Sequence, residues 1–431
     1  MPQSDLALTE WPFIKKQAFR FFFIFFILYI VLTPNDIFRY SYVLHNIFKQ
    51  PFTGLVIWFG ESIFHVAISG PGNATLDTTF GYLSILFIFL LALTGSTVWA
   101  VGDRKASNYN KLYDVLVVVL RYYLAVTWIV YGSVKIIQLQ FPPFTPAMLL
   151  QTYGNSSPRG LAWAFMGYSA GYNYFIGFTE YAIGLLLFFR RTSTLGNVMG
   201  LITLANVIAF NYCYDVHIKL LSSVLMVMTL FLLAKDSRRL INFFLFNKTI
   251  QPEDTPTFRF KEKSKNTILL TCKYGFILYV VFFDLYGNFA RAKQEGIGIQ
   301  KPPLYGIYNV KTFIRNKDTI KPLTTDTTRW NKLIVSSVPH NASIMLMNDS
   351  MRYFVFNPDT VNKKIVMYAE KDTADKYAFD YSLPKPGVLT IRGKWHKDSL
   401  EIDFQQYDLN KFPLNHNSFH WIIDHQAGIK R

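Results

Sequence analysis

Residues 79–101 read TFGYLSILFIFLLALTGSTVWAV, twenty-three positions without one charged side chain. As a helix this run is about 35 Å long, more than the roughly 30 Å of hydrocarbon in a bilayer. A run of this length and composition reads as a spanning helix rather than a buried core helix. Working outward, similar apolar runs occupy 18–33, 113–138, 171–189, 193–213, 216–234 and 267–289. The stretch 51–69, PFTGLVIWFGESIFHVAIS, is apolar but carries Glu61 and His65, and reads as an interfacial or re-entrant helix. After Lys301 the long runs stop and the text becomes charged, short-period and punctuated by proline. The expected organisation is therefore an α-helical membrane bundle of about seven spans over 1–292, followed by a β-rich domain over 301–431.

Composition agrees. The chain is 51% hydrophobic and only 17% charged, where a soluble protein carries about a quarter. The net charge of +16 sits on no stacking platform and accompanies no nucleic-acid motif, so nucleic acid is excluded as a partner. Instead, the basic residues report sidedness. With the N-terminus cytoplasmic, the inner segments collect Lys15, Lys16, Arg104, Lys105, Arg190, Arg191, Lys235, Arg238, Arg239 and a basic tract from Lys261 to Lys265, and the outer loops hold far fewer. Seven crossings then place the C-terminal domain outside. Lys15, Lys16 and Arg20 before the first run, with no small-residue cleavage site after it, favour a retained span over a signal peptide.

In the C-terminal part, Leu389, Ile391 and Trp395 alternate loosely, Leu400, Ile402 and Phe404 strictly, and His396-Lys397-Asp398 between them reads as a hairpin turn. Further strands are expected at 306–314, 332–336, 343–347, 351–357, 364–368 and 376–382, with a closing strand near 414–421. About eight short antiparallel strands imply a small β-barrel or β-sandwich, with Trp330 and Trp395 as core anchors.

Ionisable groups within the spans are costly and need a reason. Depth assignment gathers most of them in the outer half of the bilayer: Lys135 in the third span, Glu180 in the fourth, Asn211 in the fifth, Asp215, His217 and Lys219 in the turn after it, and Asp284 in the seventh. Glu61 and His65 lie on that side too. Arg121 and Lys273 are the exceptions and lie towards the inner side. Glu180, Lys135 and Asp215 are the candidate catalytic groups, suited to acid–base work if desolvated. His217, Lys219, Asn211, Glu61, His65 and Asp284 are candidate ligand-binding groups. Helix-packing ion pairs and snorkelling account for the same residues without function. His416 and His420 stand four apart near the C-terminus but read as barrel histidines, and no metal site is expected. Cys213 and Cys272 fall at opposite depths, so no disulfide is expected. No Walker, GxGxxG, GxSxG or HExxH motif is present.

Leu120-Arg121-Tyr122-Tyr123-Leu124-Ala125, Tyr131-Gly132-Ser133-Val134-Lys135, Tyr153-Gly154-Asn155-Ser156-Ser157-Pro158, Asn211-Tyr212-Cys213-Tyr214-Asp215-Val216 and the closing Phe419-His420-Trp421-Ile422 together resemble long-form DoxX-like membrane proteins. This chain has His217 where the usual pattern of that family has proline. The resemblance implies a multi-pass protein of the bacterial cytoplasmic membrane with a periplasmic C-terminal domain. DoxX-like proteins are similar to the small subunit of a thiosulfate:quinone oxidoreductase, and their helical core is similar to that of vitamin K-dependent carboxylases. The resemblance thus implies quinone as cofactor, with Lys135, Glu180 and His217 placed to hold its carbonyls. The alternative is a non-catalytic envelope protein whose β-domain binds a lipid or protein partner.

Overall fold

The computed structural model describes residues 10–33, 42–68, 73–249, 262–295, 300–369, 372–416 and 421. It divides into two compact units, residues 1–137 with 171–289 and residues 138–170 with 290–431.

The first unit is helical. Its elements are α1 (Phe13–Leu32), α2 (Tyr42–Phe64), α3 (Thr79–Gly102) and α4 (Asn110–Ile136), then α7 (Ala170–Phe188), α8 (Ser193–Cys213), α9 (Lys219–Phe244) and α10 (Lys263–Glu295); the short α5 (Pro146–Leu150) and α6 (Pro158–Tyr168) lie in the other unit. All seven apolar runs are helices. Five, namely α3, α4, α8, α9 and α10, are long and apolar enough to cross a membrane. α1 falls short because Lys15, Lys16 and Arg20 occupy its first turns, and α7 because Asn173 and Glu180 interrupt it. Helix α2 starts well before the expected 51, carries Pro51 inside, and ends at Phe64.

The bundle core includes Phe26, Tyr29, Ile88, Leu124, Phe188 and Met228. Large apolar side chains also face outward: Phe175, Phe178, Ile202, Leu278 and Phe282 are each more than half exposed, a pattern natural to a lipid environment and costly in water. Buried Arg20 fixes the start of α1. Its guanidinium donates to the Tyr109 hydroxyl (2.7 Å) and the Asp103 carbonyl (3.1 Å), and Tyr109 donates to the Asp103 carboxylate (3.0 Å).

The second unit holds an antiparallel barrel of eight strands: β1 (Gly306–Arg315), β3 (Trp330–Val335), β4 (Asn341–Leu346), β5 (Met351–Asp359), β6 (Lys364–Ala369), β7 (Asp372–Lys385), β8 (Val388–Trp395) and β9 (Asp398–Tyr407), closed by pairing β9 back onto β1. The two-residue β2 (Asp318–Thr319) only folds back the end of β1, through Asn316 and Lys317, both at positive φ, as a tight hairpin turn requires. A sandwich is therefore replaced by a closed barrel. Closure removes the exposed edges a sandwich would leave.

The expected hairpin is present, with Leu389 opposite Phe404 and Ile391 opposite Ile402. Those four side chains point inward with Trp330, Phe356 and Phe379. Eight strands enclose a space that side chains can fill, and here an apolar core fills it. Trp330 is fully buried and Trp395 packs on it at 5.1 Å. The expected closing strand is not seen: Pro413–His416 is a helical turn, and 417–420, including His420, lie outside the described residues. Closure comes from β9.

Residues 138–170 separate from the helical part to which their place in the sequence assigned them. Their α5 lays Ala147 and Leu150 over Ile307, Ile334 and Met345 on the outside of the barrel, together with Leu409 and Phe412. Removing that apolar surface from water is the driving force.

Candidate functional site

Helices α4 and α7 cross with their backbones nearly touching. A Cβ on Gly132 would fall 2.7 Å from the Gly177 carbonyl oxygen, and one on Gly184 would fall 2.8 Å from the Ala125 carbonyl oxygen. Ala125, Ile129, Gly132 and Ile136 repeat at helical spacing and form the α4 side of this crossing. Gly132, Gly177 and Gly184, having no side chains, let the helices approach closely enough for backbone contact. Lys135 stands three residues after Gly132 and Glu180 three after Gly177, so the crossing that the glycines permit brings the two charges together. Lys135 Nζ donates to Glu180 Oε2 at 2.6 Å and to the Tyr131 carbonyl at 3.3 Å. Both side chains are buried, at 9% and 5% exposure.

Beside the pair, α10 docks on α4 through a buried hydrogen bond from Asn288 Nδ2 to Ser133 Oγ (2.8 Å), and the same amide reaches Asp284 Oδ1 at 3.2 Å. Asp284 also lies within electrostatic reach of the Tyr181 hydroxyl. Lys135, Glu180, Ser133, Asn288 and Asp284 thus gather where three helices meet.

Asp215, the third candidate catalytic group, sits elsewhere. It occupies the α8–α9 turn at φ +52, its side chain 77% exposed, and its carboxylate accepts from Lys219 Nζ at 2.7 Å. That hydrogen bond and the Lys219 charge hold its carboxyl below the usual carboxylate range. Asn211 is buried at the end of α8, where its amide donates to Ser222 Oγ (3.2 Å). His217 is exposed.

Comparison with known proteins adds one relative. A Bacillus subtilis (strain 168) protein known as the uncharacterized protein YwoB is 38% identical over 126 residues, which are 29% of this chain and 79% of that protein. The chain belongs to the YwoB family. No family model matches it, and no solved structure does. YwoB kinship accounts for under a third of the chain and brings no activity with it.

Of the residues singled out in the sequence, the fold joins Lys135 with Glu180 and Asp215 with Lys219, and it sets Asp284 against Asn288. Glu61 and His65 do not continue one helical face, because α2 ends at Phe64 and His65 turns off at φ +54; both are exposed. Among the described residues, no group of three His, Cys, Asp or Glu side chains could hold a metal ion. Cys213 and Cys272 are free thiols.

Sequence reasoning missed Asp77. Its carboxylate accepts from the backbone N–H of Lys219 (2.9 Å) and of Leu220 (2.8 Å), and lies 3.5 Å from Lys219 Nζ. It therefore caps α9 from a distant part of the chain, where the first-turn N–H groups otherwise lack partners. The one available signal was an acidic residue just ahead of α3 on the same predicted side as the α8–α9 turn.

Proposed function

We propose that the chain is a seven-span protein of a bacterial cytoplasmic membrane, with its N-terminus inside and its barrel outside, in which the helices serve as a rigid anchor and the barrel is the working part. The observation that carries this reading is the Lys135–Glu180 contact. The two charges satisfy each other at 2.6 Å, in a crossing whose backbones leave no room for even a methyl group at Gly132. Such a pair suits a lock between helices better than a site awaiting substrate. The topology rests on the basic loops, with α1 and α7 as spans whose charged Arg20 and Glu180 are compensated inside the bundle.

On the barrel, a cleft of about 500 Å³ opens between Lys301, Pro302 and Pro303, the β3–β4 turn at Pro339 and His340, and Phe356 on β5. Its mixed apolar and basic lining suits an envelope lipid or protein partner. A second reading, a quinone-linked redox subunit, is favoured by the polar groups Ser133, Asn288 and Asp284 beside the pair; it predicts quinone co-purifying in stoichiometric amount.

Sidedness is tested in a Cys213→Ser, Cys272→Ser background with a membrane-impermeant maleimide on intact cells. Val361→Cys, on the barrel, is expected to label before lysis and Leu245→Cys, after α9, only after lysis; the reverse pattern overturns the topology. Function is tested by comparing a null strain with two replacements. A barrel-deleted chain is expected to behave as the null and a Lys135→Met, Glu180→Leu chain as wild type. A double variant of normal abundance that behaves as the null overturns the anchor reading.

A further inference from the structure

The two cations that the sequence places towards the inner side, Arg121 on α4 and Lys273 on α10, come together in the fold. Tyr122 meets Phe188 at the end of α7 (5.5 Å) and Phe276 on α10 (5.9 Å), and Lys273 Nζ lies 5.2 Å from the Phe189 ring. Three helices therefore converge there. Arg190, directly after α7, and Arg121 act on each other electrostatically, as do Lys273 and Arg121. Arg121 and Lys273 thus lie on neighbouring helices held together by these ring contacts.

Arg121 is 8% exposed, and its Nε is buried without a hydrogen-bond partner. The Tyr122 hydroxyl and ring, the ring 5.6 Å from the guanidinium carbon, offer partial company but no negative charge. None of the described ion pairs includes Arg121 or Lys273. Burying a charged group with a donor left unpaired is costly, and so is holding Arg121 near Lys273 with no carboxylate paired to either. The contrast with Lys135, which has its carboxylate, is direct.

We infer that Arg121 and Lys273 form a binding site for the phosphate of an anionic phospholipid in the cytoplasmic leaflet. The guanidinium fork suits a phosphate group, and the exposed Phe189, Leu270 and Tyr274 alongside offer the apolar surface that acyl chains need. The assignment to the cytoplasmic leaflet rests on the topology proposed above.

The full-length protein, exchanged into mixed micelles of phosphatidylglycerol and phosphatidylcholine and released in native mass spectrometry, is expected to retain phosphatidylglycerol preferentially. Lys273→Gln, at a half-buried position that should leave the fold intact, lowers that preference about fivefold, the worth of one basic side chain at an anionic surface. Arg121→Gln lowers it further, and Lys293→Gln, exposed at the far end of α10, leaves it unchanged. Equal retention of both lipids, or wild-type preference in Lys273→Gln and Arg121→Gln, overturns the site. Thermal stabilisation by inorganic phosphate alone that matches the effect of phosphatidylglycerol overturns the lipid in favour of a free anion. Maleimide labelling is read separately, so equal retention of both lipids by the wild type with the expected labelling refutes this site without touching the topology.

Discussion

Glu180→Gln is the decisive single change in the helical part. It leaves the Lys135 ammonium, 9% exposed, facing a neutral amide where a carboxylate stood 2.6 Å away. At that distance, with an effective dielectric near 20, the attraction removed is about 6 kcal/mol. Part of it is offset by the desolvation that both charges already bear, and breaking buried pairs by removing one partner costs about 3–5 kcal/mol. A unit of this size shifts about 2–4 °C for each kcal/mol, so the melting temperature should fall by about 6–20 °C. The companion is Glu180→Leu with Lys135→Met, which removes both charges together. Replacing a whole buried pair by apolar side chains is close to neutral or stabilising, so the double variant should melt near the wild type. Reversible unfolding in mixed micelles, followed by tryptophan fluorescence, measures all three. If Glu180→Gln melts with the wild type, or the double variant falls as far as the single one, the pair is not a lock.

Gly132→Ala should destabilise by about 1–3 kcal/mol, because its Cβ meets the Gly177 carbonyl oxygen. Gly275→Ala, with nothing within 4 Å of its Cβ, should be neutral or slightly stabilising in the same assay. Asp77→Ala should cost about 1–2 kcal/mol through the lost α9 cap, read as earlier hydrogen exchange at the Lys219 and Leu220 amides. Since Lys219 depresses the Asp215 carboxyl in the folded protein, its contribution is present above the unfolded carboxylate value and disappears as pH falls through the folded one; Asp215→Asn should flatten the stability profile in that acid window only. In the barrel, Trp330→Ala should cost about 3–5 kcal/mol, seen as loss of near-ultraviolet circular dichroism from the Trp330–Trp395 contact.

Apart from the expected closing strand, the strands were legible to within a few residues because each is a local signal: alternation such as Leu400, Ile402 and Phe404 announces its own face, and turn residues announce its ends. The helices were legible for the same reason, through length and apolarity. What local pattern does not carry is partnership across the chain. Proline-rich 138–170 is an outer loop by position, and only the apolar patch of Ile307, Ile334 and Met345 on the barrel explains why Ala147 and Leu150 leave the helices. The distant cap at Asp77 and the α4–α7 glycine contact are likewise pairings between segments, visible in the sequence only as an isolated acid and scattered glycines.

Depth assignment and site assignment draw on different information, and the difference is physical. Sidedness follows from summed loop charges and tolerates errors in any one residue, whereas a site depends on which neighbour each charge meets. The sequence assigns Asp215, Lys135 and Glu180 to the same half of the bilayer, yet Asp215 meets Lys219 in the α8–α9 turn while the other two meet each other. Compensation is therefore the useful discriminator among charges inside the bundle. Lys135 has an acid at hydrogen-bond distance and needs nothing further. Arg121 has a buried Nε without an acceptor and a second cation for company. A bilayer cannot supply counter-ions as water does, so a cation left in that state has to draw its anion from the lipid. It is the uncompensated Arg121, not the conspicuous ion pair, that should respond when the surrounding phospholipid is changed.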